Sequence, residues 1–553
     1  MPKNKNKGNQ KDKPKPTDTL NTSYNMFRNS ANRKLSAYLG KIERGNSQIY
    51  EAPFAKGVSM ETVLNDWDKV LVSISKDWPT LYDFENDMRK NVGPMSVQKP
   101  LDERLEDIEH YYVDVFLPST PISQRAISKV CAEWSRSRGL LLRSVSRTNE
   151  GMKHSTNSGS PDFVKRANVE AATDTYRVFT DTKGITWILD PSHEGFVATA
   201  ILGWRGQEHG PTAEDVKQRV VWMFPYAVNL QELRVYQPAI EVAQRNHIVP
   251  AWESMDAVDK EVTDLFDTKS KDDLVVCTDF SRFDQHFNAD MQQCAKAILQ
   301  SILARGNSDC AWWLDEIFPV KYNIPLVVRK NSSGYLEAYT GSHGMGSGSG
   351  GTNFDETLTH RALQHEVAML NKAELNPHSM CLGDDGILSY PGITVEQVVQ
   401  AYTTHGQECN TSKQYASTQD CVFLRRWHHA NYRINGVCAG VYSTMRALGR
   451  LRYLERYMDP EYWGEKLVAL RQLSIIENCK WHPLREQFAD FCMARDKYRL
   501  GLDIPGFMAN LRREAIEATA NMTDFLGYTK TLQGEGPDGI ESWWIVKYLQ
   551  SKR

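Results

Sequence analysis

The stretch Cys381-Leu382-Gly383-Asp384-Asp385-Gly386-Ile387-Leu388 constrains this chain more than any other. Short apolar runs flank a Gly-Asp-Asp tip, which reads as two strands of a hairpin. Gly383 suits the tip because glycine tolerates positive φ. Two adjacent carboxylates repel each other, so folding alone gives no reason for Asp384 and Asp385. A bound divalent cation would give one. The alternative is a solvated acidic turn, since composition alone supplies Gly-Asp-Asp in roughly one chain in ten of this length.

A second acidic site is Cys277-Thr278-Asp279-Phe280-Ser281-Arg282-Phe283-Asp284. Asp279 ends a short apolar strand over 273–279, where a carboxylate needs a reason to sit. If that strand lies beside the Gly-Asp-Asp hairpin in one sheet, three carboxylates converge. Mg²⁺ prefers carboxylates together with phosphate oxygens. Two such ions about 3.5–4 Å apart stabilise the attacking and leaving oxygens of an in-line phosphoryl transfer. A helix N-cap is the plain alternative for Asp279.

Between the two acidic sites runs the Gly/Ser loop Gly344–Thr352, which feeds a helix over 352–371. Such a loop lets the backbone approach a ligand, and the helix N-terminus favours anions. No Lys follows, so it is not a P-loop. Its plain alternative is a flexible linker. Upstream, Arg205, Lys217 and Arg219 lie in strand-like sequence. Lys and Arg suit the charge of a triphosphate, with a solvated face as the alternative.

The 553 residues suggest three or four domain-sized units. A net charge of −3 argues mildly against a nucleic-acid binder, but a buried channel can be basic while the exterior is acidic. The ten Cys include no C-x-x-C pair and read as reduced, intracellular thiols. His428-His429 and the His360/His365 pair lack a metal-ligand pattern. No apolar run reaches membrane-spanning length, and no secretory signal is expected.

Residues 1–20 are Lys-rich and read as a disordered basic tail, either an arm for RNA or an acidic partner or a solubilising segment. Residues 21–150 read as mainly helical, with segments such as Met60–Trp67 and Leu101–Val115. Residues 174–202 are strand-rich. Ala289–Arg305 reads as a helix, Pro325–Thr340 as a hairpin turning at Asn331–Gly334, and Thr394–His405 as a further helix. From 443 onward the pattern is helical. A glycine-rich loop at 533–539 precedes a last helix, Glu541–Leu549. That loop reads as a surface loop or as one entering the cavity at initiation.

The order of these motifs resembles viral RNA-dependent RNA polymerases. Asp279-x-x-x-x-Asp284, Ser347-Gly348-x-x-x-Thr352 and Gly383-Asp384-Asp385 look like motifs A, B and C. Thr156-x-x-Gly159-x-Pro161 resembles motif G, Lys217-x-Arg219 the core of motif F, Lys413 the motif D lysine, and Phe423-Leu424-Arg425-Arg426 motif E. The wording of A, B and C is most similar to picobirnavirus polymerases.

The resemblance implies an α+β closed right hand of fingers, palm and thumb, with an antiparallel palm sheet and a mainly helical thumb. It divides the chain into the tail (1–20), an N-terminal helical region bridging fingers and thumb (21–150), fingers (151–260), palm with motif A (261–288), a fingers insertion (289–342), palm with motifs B to E (343–442) and thumb (443–553). It implies Asp279, Asp384 and Asp385 as catalytic ligands of two Mg²⁺ ions, with Mn²⁺ as a substitute. Lys413 becomes a general acid for pyrophosphate. Lys217, Arg219 and Arg205 take the triphosphate, while Asp284, Ser347, Gly348, Thr352 and Asn353 take the nucleotide. Thr156, Gly159, Pro161, Phe423, Arg425 and Arg426 touch RNA.

Implied partners are RNA template and product, ribonucleoside triphosphates and, as a candidate, a capsid protein, but no membrane. The implied location is the virion interior and host-cell cytoplasm. One departure concerns motif B. Many relatives carry an Asn four residues after its Thr, and here that position is Glu356, so Asn353 or Ser347 is expected to take its part. Two rival functions stay open: a reverse transcriptase, and a non-enzymatic RNA-binding or packaging protein.

Overall fold

Val275–Thr278 is a run of apolar and β-branched residues, and all four are buried. Such residues fit a strand covered on both faces. It lies inside a four-stranded sheet in the order Met380–Leu382, Asp385–Leu388, Val275–Thr278, Tyr415–Ser417, antiparallel throughout. This is the central sheet of a computed structural model that describes residues 17–20, 32–169, 173–192, 195–459, 461, 463–519 and 539–552. Helix Thr352–Leu370 is buried along most of its length and packs on helices Gln124–Glu133 and Ala289–Ile302. These helices, the sheet and the upstream strands share one large apolar cluster.

A second sheet has five strands in the order Thr17–Leu20, Leu336–Tyr339, Leu326–Lys330, Ala200–Gln207, Lys217–Met223. It contains the hairpin expected at 325–340. Strands Ala200–Gln207 and Leu326–Lys330 are its one parallel pair among the described residues, with Ala200 opposite Leu326 and Ile201 opposite Val327. Thr17–Leu20, expected within the disordered tail, form its edge strand, whereas 1–16 lie outside the described residues. Ladder hydrogen bonds to Ala338 and Leu336 give this polar segment the partners that composition could not reveal.

The N-terminal region touches both ends of the molecule. Helix Arg33–Arg44 lies on the five-stranded sheet, where the Tyr38 hydroxyl donates to Leu202 O at 3.1 Å. Tyr50–Glu51 pairs with Tyr453–Leu454, far along the chain. Helix Met60–Leu71 buries Trp67 against Phe488 and Phe491, and the indole donates to Thr444 Oγ1 at 2.8 Å. These contacts form a second apolar cluster, which joins the N-terminal helices to the C-terminal ones.

Two expected helices have different limits. The segment 101–115 divides into turns at Leu101–Glu103 and Asp114–Phe116 around a helix, Leu105–Val113. The break falls at Arg104, whose buried guanidinium donates to Arg219 O at 3.0 Å. The last helix begins at Trp544, where Glu477 accepts from the amides of Trp544 and Ile545 at 3.1 and 2.9 Å. A carboxylate from another helix thus caps the N-terminus. Of the 533–539 loop only Gly539 lies within the described residues. All ten cysteines are free, and no described helix is long and apolar enough to cross a membrane.

Candidate active site

Leu382 pairs with Asp385, leaving Gly383 and Asp384 as a two-residue turn. Gly383 has φ +58°, the left-handed conformation that glycine adopts without strain at the first position of such a turn. The next pair inward, Gly386 with Thr278, belongs to the neighbouring strand. One residue beyond it on each strand stand Asp385 and Asp279. The sheet therefore brings the two acidic sites of the sequence to one edge, with Asp384 at the tip beside them.

Helix Thr352–Leu370 holds this turn from behind. The Gly383 amide donates to Thr357 Oγ1 at 2.9 Å, and His360 Nδ1 pairs with Gly383 O at 2.8 Å. Glu356, Thr357 and His360 share one helix face at i, i+1 and i+4. The side chain of Gln414 does the same for Asp279. Its Oε1 accepts from the Asp279 amide at 2.8 Å, and its Nε2 donates to Asp279 O at 2.9 Å, so an amide side chain continues the ladder past its last backbone pair. Asp385 Oδ2 accepts from the Leu424 amide at 2.7 Å. Sequence reading missed Gln414, Thr357 and Leu424. The only signal was the 356/357/360 spacing on a recognised helix.

The acids resist ionisation to different degrees. Desolvation by the protein around the turn, then the Asp284 charge, pushes the Asp384 carboxyl up although the residue itself is exposed, against the pull of Arg219. Burial pushes Asp385 up to about 7, the Leu424 amide opposing and Asp384 adding to the rise. Lys217 is pulled down by its surroundings and by Arg219, while Asp279 and Asp384 hold it up. Lys217 and Arg219 are thus electrostatically coupled to the acids. Converging carboxylate oxygens are hard donors, a set that fits divalent cations.

The Gly/Ser loop packs against the motif A loop at Asp284 and against strand Lys217–Met223. The Met345 amide donates to Asp284 O at 2.9 Å, the Ser347 hydroxyl to Val220 O at 3.1 Å, and the Thr352 hydroxyl back to Gly346 O and Ser349 O at 3.3 and 3.2 Å. Glu232 accepts from the Ser349 hydroxyl and from the Gly350 amide. A Cβ on Gly348 would sit 1.5 Å from Trp222 O. Gly348→Ala is therefore expected to displace the loop and slow RNA synthesis about a hundredfold, since misplacement by an ångström costs that much. The initial rate of nucleotide incorporation checks this, and an unchanged rate would contradict it.

The remaining sequence-predicted residues divide. Lys413 is exposed, next to Gln414 and hence near Asp279. Asn353 is exposed at the start of the helix and accepts from Trp252 Nε1 at 2.8 Å. Thr156 is exposed, whereas Gly159 and Pro161 are buried and shape their loop. Arg205 points to the C-terminal region, paired with Glu455 at 2.7 Å.

Phe423 and Arg426, expected at the RNA, are corrected to interior positions. They pair across the Leu424-Arg425 turn, and directly paired residues share a face. That face is inward: Phe423 is 1% exposed, and Arg426 is buried on Asp259 at 3.1 Å and on Gly440 O at 2.8 Å. Arg425, in the turn, lines a cavity of about 100 Å³ with Lys217, Arg446, Arg450 and Glu208.

Outside this site, Glu261, Asp264 and His378 place ligand atoms within 4.8 Å of one another. His378 Nδ1 already pairs with Glu261 at 3.0 Å, and Lys260 lies 3.7 Å from Asp264. His365 pairs with Glu133 at 2.9 Å and His428 Nδ1 with Cys438 O at 3.2 Å.

Comparison with known proteins agrees with this geometry. A profile of the viral RNA-dependent RNA polymerase family matches residues 204–445. A potential RNA-dependent RNA polymerase of Human picobirnavirus (strain Human/Thailand/Hy005102/-) is 52% identical over 536 residues, 96% of this chain and 99% of that one. The crystal structure of the RNA-dependent RNA polymerase of a human picobirnavirus superposes with a TM-score of 0.90 at 52% identity, over 97% of this chain and 100% of that one. The crystal structure of its insertion loop deletion mutant superposes with a TM-score of 0.89 at 50% identity, with the same coverage.

Proposed function

The chain belongs to the viral RNA-dependent RNA polymerases, and from that premise we propose that Asp279, Asp384 and Asp385 are its catalytic ligands for two Mg²⁺ ions, with Mn²⁺ as a substitute. The observation that carries this reading is the sheet register, which sets Asp279 next to Asp385 with Asp384 at the adjoining tip. The enzyme is an RNA-directed RNA polymerase of the picobirnavirus type, so the product 3′-hydroxyl attacks the α-phosphorus of a ribonucleoside triphosphate and pyrophosphate leaves. Bound at these carboxylates, the ions would supply positive charge for the attacking and leaving oxygens.

The protein's own groups do the rest. Lys217 and Arg219, on strand Lys217–Met223 and electrostatically coupled to the acids, hold the triphosphate. Lys413 protonates the departing pyrophosphate. Asp284, fixed through its carbonyl to the Gly/Ser loop, accepts from the ribose 2′-hydroxyl, the group that separates RNA from DNA precursors. Thr156 and Arg425 are the exposed candidates for RNA, and Arg205 secures the fingers to the thumb at Glu455. The division into tail, N-terminal bridge, fingers, palm and thumb given above is the matching domain plan. A capsid protein partner and a place in the virion interior and host-cell cytoplasm accord with this reading.

The test is incubation of the full chain with a short single-stranded RNA, with and without primer. Ribonucleotides with Mg²⁺ or Mn²⁺ are expected to give RNA product, and chelation of the ions to stop it. Preferred use of deoxyribonucleotides would instead establish a reverse transcriptase. Failure to incorporate any nucleotide would leave an RNA-binding protein.

A further inference from the structure

The chain carries a net charge of −3, yet the segment 136–153 holds Arg136, Arg138, Arg143, Arg147 and Lys153 against a single acid, Glu150. The segment runs antiparallel along helix Tyr226–Arg245. At the C-terminus of that helix, Asn246 Nδ2 donates to Ser137 Oγ at 2.8 Å. Further in, the Arg143 amide donates to Arg234 O at 2.9 Å, and Gln237 Nε2 donates to Thr148 O at 3.1 Å. At the helix N-terminus, the Tyr226 hydroxyl donates to Asn149, and the Tyr226 amide donates to Ser158 O at 2.8 Å. The helix has 20 residues, so the segment is laid out over about 30 Å.

Most of these charges are not used by the fold. Arg143 is, through Gln237 at 3.3 Å and through Glu241. Arg136, Arg138 and Arg147 are exposed, and among the described residues they form no ion pair. Exposed cations contribute little to stability, so folding gives no reason for three of them in one row. A chain of phosphates gives one, because each phosphate that is neutralised releases a counterion, and guanidinium groups suit phosphate geometry. The row also leads somewhere. Lys153 O accepts from Arg166 Nη1 at 3.1 Å, and that guanidinium lies 5.1 Å over the Tyr226 ring. Two cationic residues thus stand at the foot of the loop 154–166, which carries the exposed Thr156.

We propose that the segment 136–153 is a phosphate-binding track on the outside of the molecule, which holds the unread part of a single-stranded RNA template and leads it to the loop 154–166. The inference rests on RNA-templated synthesis at a product 3′-end, in which the template is read from its 3′ side and the unread part is its 5′ side. The contacts are to phosphates and so carry no sequence preference. One row of cations along one helix follows a single backbone, as in other single-strand grooves.

The test is RNA binding followed by fluorescence anisotropy, with a primed template that has either one unread 5′ nucleotide or about ten. The parent is expected to bind the longer template roughly tenfold more tightly, a gain that fades between about 50 and 200 mM salt. The triple variant Arg136→Ser, Arg138→Ser, Arg147→Ser is expected to lose this gain, and its salt slope on the longer template to fall by about 2, for three single-strand phosphates. On the short template it is expected to bind within about twofold of the parent and to incorporate the next nucleotide at the parental rate. The triple Arg→Lys variant keeps the point charges and is expected to keep most of the gain. Should the serine variant not fold, Arg147→Ser alone is expected to lower the slope by about 0.7. The proposal falls if the serine variant weakens both templates alike, as a general loss of charge or of structure would. It also falls if a complementary strand annealed to the extension leaves the gain and its loss unchanged, since the track would then be a duplex site. A parent that incorporates no nucleotide on either template overturns the polymerase reading and this inference together. Incorporation by a parent that binds both templates alike overturns this inference alone.

Discussion

Asp384→Ala is expected to lower RNA synthesis by roughly a thousandfold or more, because it removes a charge that acts only as the phosphoryl group moves. The same change is expected to leave the fold intact. Asp384 stands at the exposed tip of a two-residue turn whose geometry depends on Gly383, Thr357 and His360. The Asp384 carboxyl titrates above its ordinary value because the folded chain disfavours its charge, through its surroundings and through Asp284 and Asp279. A group with a raised acid pKa destabilises the fold once ionised, so at neutral pH its removal relieves repulsion. The thermal midpoint of Asp384→Ala in chelator should therefore match or exceed that of the parent. Near-normal elongation by this variant would remove Asp384 from the catalytic set. Loss of synthesis with a lowered midpoint would indicate a structural role instead.

Lys321→Met is expected to cost the fold about 3–5 kcal/mol, the range for leaving one member of a buried ion pair unpaired. Lys321 and Asp355 are both fully buried, 3.0 Å apart. Asp355 also accepts from the hydroxyls of Tyr236 and Tyr322 at 2.8 and 2.7 Å, and Lys321 donates to Phe318 O at 2.7 Å. The ammonium lies over the Phe318 ring at 3.7 Å. Asp355 is in the first turn of the helix that holds the catalytic turn, so the pair anchors that helix to the segment before the Gly/Ser loop. The measurement is the denaturant midpoint of Lys321→Met, Asp355→Asn and the double variant. Removing both charges should cost less than the sum of the single changes, since the double variant leaves neither charge buried alone. Additive costs, or a parental midpoint in Lys321→Met, would contradict a coupled pair.

Much of the catalytic edge was legible along the chain. The run from Val275 to Asp279 ends apolar burial in an acid, and Gly383 marks a turn that few other residues could make. The strand, the hairpin and the glycine-fed helix are local patterns, with periods of two and 3.6 residues. The order of motifs supplied the family, and overall similarity to picobirnavirus polymerases agrees with it. The motif E resemblance, by contrast, misplaced Phe423 and Arg426 at the RNA. The Leu424-Arg425 turn pairs them on two strands whose shared face is interior, with Arg426 on Asp259.

What the sequence determined by itself is therefore the set of chemically distinctive residues and the elements that carry them. Those elements form from near-neighbour preferences, which a single sequence states directly. What only the tertiary structure decided is which of those residues share a space. Gln414 completes the ladder at Asp279, and Arg205 turns to Glu455 across 250 positions of chain. Such contacts depend on strand register and on the burial that follows from it. A shift of one residue in register would turn every one of those side chains to the opposite face.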